Sequence, residues 1–68
     1  MLKDYNHDLI QQLSEISDSS WRMEAYAKTA GECEHCLGLW KKLQADYDEH
    51  IKLITEEIKR HVAENRFD

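Results

Sequence analysis

The sequence predicts an all-α protein: a helical hairpin of two long antiparallel helices that dimerises into a four-helix bundle. Three observations carry that expectation. The chain of 68 residues has no proline and only two glycines, a composition that favours helix almost throughout. Its apolar residues recur at steps of three and four along two separate stretches, the period of an amphipathic helix. The two stripes are out of phase with each other, and both glycines, Gly31 and Gly38, fall in the interval between them.

The first helix is expected over about residues 4–30. Its stripe runs Tyr5, Leu9, Leu13, Ile16, Met23, Ala27 and Ala30, with Ser20 filling the remaining place. Asp4 or Asn6 suits the N-cap. The run "SDSS" at 17–20 consists of poor helix formers. A break there would give a three-helix monomer, but the stripe stays in phase across it, so one continuous helix is favoured. The bend is placed at about 31–38. Gly31 fits a helix C-cap, and Thr29 with Glu32 fits a capping box that would start the second helix ahead of the cysteines.

The second helix is expected over about 38–64, on the stripe Trp40, Leu43, Tyr47, Ile51, Ile54, Ile58 and Val62. This stripe repeats every eleven residues, which favours straight or slightly right-handed packing. Asp48–Lys52, Lys52–Glu56 and Glu56–Arg60 are opposite charges four apart and support its outer face. The last five residues, "ENRFD", are expected to fray. Ile10 and Trp21 on the first arm and Leu39 and Leu53 on the second lie outside the stripes. Their burial requires a partner, and a homodimer provides it.

Composition narrows the function. The net charge is −5 with signs interspersed, which argues against a nucleic-acid partner. No run of about 18 apolar residues suggests a membrane span. The start "MLKDYNHDLI" lacks the basic region and apolar core of a signal peptide, so a cytosolic protein is expected. No Ser–His–Asp set or glycine-rich phosphate loop can be built, and the reading favours an interaction or assembly module over an enzyme. An unidentified protein partner beyond the second copy is compatible with that role.

The chemistry concentrates in "AGECEHCLGLW", residues 30–40, which holds the only two cysteines. Three readings stand. Cys33 and Cys36 are small, buried, reduced residues near the bend; or they form half of a zinc site, with His35 or a second copy completing it; or they are a redox pair. At the apex of a helical hairpin the C-x-x-C resembles the zinc hook of the long coiled-coil DNA-repair ATPases, over Gly31 to Leu39. It departs in having Glu34 where that family has proline. The redox reading resembles the peroxidase-partner helical family with C-x-x-C-x-x-x-H, but Trp40 stands at the histidine position.

A broader resemblance covers Trp21 to Val62. "LQADYDEHIKLITEEI" is similar to the second helix of a rubrerythrin-like or ferritin-like hairpin, and "MEAYAKTA" to the helix before it. The resemblance implies an iron or manganese site in which one helix gives a Glu and its partner Glu-x-x-His. With the bend centred near Glu34–His35, the residues here that come level are Glu24, Asp46 and His50, a site that a dimer would double and that is not the family's own. His50 matches the family's histidine, whereas Tyr47 stands where the family's glutamate belongs, three residues earlier. On the residues alone, Glu24 and His50 read as polar groups at the stripe's edge, and Glu57–His61 as an i, i+4 pair.

Overall fold

The computed structural model describes residues 2–68. Two helices pack against each other as an antiparallel hairpin: α1, Asp4–Thr29, and α2, Glu34–Ala63. The rod measures 50 × 18 × 12 Å. Helix α1 is unbroken through residues 17–20, which disposes of the three-helix alternative. The serines are tolerated because they have partners. Ser20 is buried and its hydroxyl donates to Asp48 Oδ1 at 2.6 Å. Ser19 Oγ accepts from the Arg22 guanidinium at 2.8 Å.

The bend is tighter than the expected 31–38. Ala30 ends α1, Gly31 takes the left-handed conformation at φ 64°, and Cys33 already caps α2. Only glycine adopts that φ without a steric cost. The capping-box expectation fails, because Thr29 is still the last residue of α1 and its hydroxyl donates to the Tyr26 carbonyl. The other end differs as well. Lys3, not Asp4 or Asn6, is the N-cap of α1, and no side chain caps it.

Burial follows a seven-residue repeat on both helices. Along α1 and its C-cap the buried or half-buried positions include Asn6, Leu9, Leu13, Ile16, Ser20, Met23, Ala27 and Ala30. On α2 they include Leu37, Trp40, Gln44, Tyr47, Ile51, Ile54, Ile58 and His61. Steps of three and four alternate strictly, the spacing of facing helices that share one seam. The eleven-residue expectation for α2 is corrected at its end: Val62 is 56% exposed, while His61 is 5% exposed. Tyr5 gives way to Asn6 in the same manner. Tyr26 and Trp40 meet at the apex end with ring centroids 5.3 Å apart.

The C-terminal segment does not fray. Arg66 N–H donates to the His61 carbonyl at 2.7 Å, and Asn65 N–H to the Val62 carbonyl at 3.1 Å, with Asn65 at φ 57°. This is the paired-bond helix stop in which one left-handed residue satisfies the last carbonyls. It turns the chain back onto the start of α1, where Lys3 N–H donates to the Asp68 main-chain oxygen.

Candidate functional site

The two ends of the rod carry different chemistry. At the open end, Asn6 is fully buried. Its Nδ2 donates to the Arg66 carbonyl at 2.7 Å and to an Asp68 main-chain oxygen at 3.2 Å. Its Oδ1 lies 2.7 Å from His61 Nδ1. An amide oxygen only accepts, so this contact requires the proton on His61 Nδ1. Nε2 then faces Glu57 Oε1 at 3.4 Å. The edge of Tyr5 closes over the imidazole at 5.4 Å between centroids, and the Arg66 guanidinium lies over the Tyr5 ring at 5.7 Å.

Charged groups brace this end from outside. Arg60 pairs with both Glu57 and Glu64, and Arg66 with Glu64. The Arg60 guanidinium bonded to Glu57 holds that carboxyl below its ordinary value of 4.5. Arg66, and then Arg60, do the same for Glu64. The arginines are raised in turn, Arg60 chiefly by its bond to Glu57 and Arg66 chiefly by its bond to Glu64. Beside this cluster runs an open groove of about 300 Å³ with an apolar floor of Leu9 and Ile54, flanked by Tyr5, Asp8, Gln12, Glu57 and His61.

At the apex, the Cys33 and Cys36 sulfurs are paired at disulfide distance, with Cα atoms 5.2 Å apart. Both residues are exposed, as is His35 between them. Cys33 Sγ also accepts the Cys36 N–H at 3.1 Å, so it serves as the side-chain cap of α2. The reading of the cysteines as buried apolar filler is therefore corrected.

Of the six candidate metal ligands, only Cys33 and Cys36 are brought together. Among the described residues, no group of three or more His, Cys, Asp or Glu is gathered closely enough to hold a metal ion. Glu24 lies 4.0 Å from Lys28, Asp46 bonds Lys42 at 2.7 Å, and His50 sits beside its own neighbour Tyr47. The reason is geometric. In the frame of the seam, Glu24 projects to the face that carries the Ser20–Asp48 bond, whereas Asp46 and His50 project to the groove face. The ferritin-like set is thus split across a flat molecule. Cys33, Cys36 and His35 share the apex but supply no third ligand in a metal-holding arrangement.

His61 and Asn6 are the residues that sequence reasoning misses. A signal exists: Asn6 lies seven residues before Leu13, and His61 seven after Ile54. Comparison with protein-family models, curated proteins and solved structures returned no match. Among the described residues, no helix is long and apolar enough to cross a membrane.

Proposed function

We propose that this chain is a small helical assembly module that pairs with a second copy into a four-helix bundle. The supporting observation is the apolar surface that one hairpin leaves uncovered. Among the described residues only Ile16 and Met23 are buried apolar side chains, while Trp21 is 72% exposed, Leu53 58% and Leu39 51%. A compact monomer of 8.1 kDa is expected to expose about 4,500 Å²; this hairpin exposes 5229 Å². The excess is close to the roughly 800 Å² per partner that a stable interface covers.

The groove face is the side we assign to the contact. Leu39 and Leu53 lie two heptads apart on that side of α2, with Tyr5, Tyr26 and the Leu9–Ile54 floor beside them. Ile10 and Trp21 project to the opposite face, among Ser14, Ser17, Glu24 and Lys28. On this reading the compartment is the cytosol.

Sedimentation equilibrium at low micromolar concentration tests it. The expected mass is twice 8.1 kDa, reduced to a single chain by Leu39→Glu with Leu53→Glu and unaffected by Trp21→Glu. A wild-type monomer with full helicity would overturn the reading.

A further inference from the structure

We propose that Cys33 and Cys36 form a thiol–disulfide exchange site whose substrates are accessible disulfides of peptides or proteins. The paired sulfurs stand exposed at the apex, outside the apolar seam that holds the helices together. The link spans a sequence separation of only 3. It closes so short a loop that it braces neither helix against the other, and a structural staple gains most from long loops. Cys33 occupies the N-cap of a 30-residue helix, where its Sγ accepts the Cys36 N–H. Once reduced, a sulfur in that position has a backbone donor and the positive end of the helix dipole beside it, and both favour the thiolate. Glu32 and Glu34 stand on either side of Cys33 in the sequence and oppose that effect. They also give the apex an acidic rim that suits a basic substrate surface.

The exchange balances without a metal or a proton relay. In the reduced chain, the Cys33 thiolate attacks one sulfur of the substrate disulfide. The substrate S–S bond breaks, and a bond from Cys33 to that sulfur forms. The departing substrate thiolate takes the proton of the Cys36 thiol. Cys36 thiolate then attacks Cys33 Sγ, closes the Cys33–Cys36 bond and releases the second substrate thiolate, which is protonated from water. The substrate gains two electrons and the chain loses two, leaving the paired state seen here. A dithiol reductant returns the chain to its starting form by the reverse steps. Trp40 stands at the position where a shuttling histidine would sit, but these steps require none, because Cys36 itself supplies the proton that the first leaving thiolate takes.

The test uses the full chain and a model peptide disulfide, and is independent of pairing between copies. The expected result is that Cys36→Ser traps a mixed disulfide on Cys33. Cys33→Ser should trap at least about tenfold less, and the reduced wild type should reduce the peptide at least about tenfold faster than an unfolded C-x-x-C peptide. Intact mass after alkylation reads both. Serine is a strong N-cap residue, so the double variant, Cys33→Ser with Cys36→Ser, should keep the wild-type circular dichroism and serve as the inert control. Equal trapping at the two positions, or a rate equal to that of the unfolded peptide, would overturn the proposal. So would a reduced chain whose thiols alkylate only after a chelator removes stoichiometric zinc, because that outcome makes the pair a metal clip.

Discussion

Asn6 shows how much one side chain can organise in a chain this small. Three of its hydrogen-bond positions are used, two toward the C-terminal segment and one toward His61. Replacing it with alanine leaves the His61 Nδ1 proton buried without a partner and releases the turned-back segment. Asn6→Ala should cost about 1–3 kcal/mol, the penalty for a buried polar group left unsatisfied. Chemical denaturation would show it as a lowered midpoint with an unchanged slope. Periodicity alone points to Tyr5 instead, because an aromatic residue is the obvious core candidate. Tyr5 is 44% exposed and covers His61 from the side. A polar residue at a core position is legible only by counting sevens back from Leu13. The carboxylates around this end give a pH dependence. Glu57 and Glu64 are held below 4.5 in the folded state. A depressed folded value means that their contribution is present above the unfolded value and is lost as pH falls through the folded one. The part of the thermal midpoint that these two carboxylates support should therefore decline as pH falls below 4.5, with the decline smaller in Arg60→Gln. Both groups are solvent-exposed, so the effect should also shrink in high salt.

At the level of the elements, the two helices are legible in the sequence and their ends are not. Periodicity fixes where apolar contacts recur over many turns, and small errors average out. An end depends on one or two residues, and local signals compete there. Thr29 with Glu32 looks like a start, yet the left-handed turn at Gly31 ends α1 and lets Cys33 cap α2 directly. "ENRFD" looks like a frayed tail because it carries no stripe, yet Asn65 tolerates the left-handed stop that redirects it. The glycines make opposite predictions. Gly31 has open space where a Cβ would stand, but it sits at φ 64°, so Gly31→Ala should destabilise by about 1–2 kcal/mol. Gly38 lies within α2, also with open space around it. Gly38→Ala should stabilise by about 0.8–1 kcal/mol, the difference in helix propensity. Urea titration of the two variants beside wild type would separate a conformational demand from a packing demand.

For the whole molecule, the hairpin follows from two out-of-phase stripes, but the site does not. Placing Glu24 near Asp46 and His50 requires knowing the side of the hairpin to which each edge turns. That depends on the hand of the fold, which a list of positions along each helix does not contain. The same gap makes Ile10, Trp21, Leu39 and Leu53 look like one surface, when the hairpin divides them between two faces. The tight bend at Gly31 has a consequence in time. Contacts near it join residues close in sequence, as in Tyr26 with Trp40. Those at the open end join residues 55 to 62 apart. Closing a long loop costs more entropy than closing a short one, so the cheapest order of assembly zips from the bend outward, and the Asn6–His61 clasp forms after the rate-limiting step. Stopped-flow folding of Asn6→Ala should then show an unchanged refolding rate and a faster unfolding rate. The clasp would act as a lock on departure from the native state rather than a guide toward it.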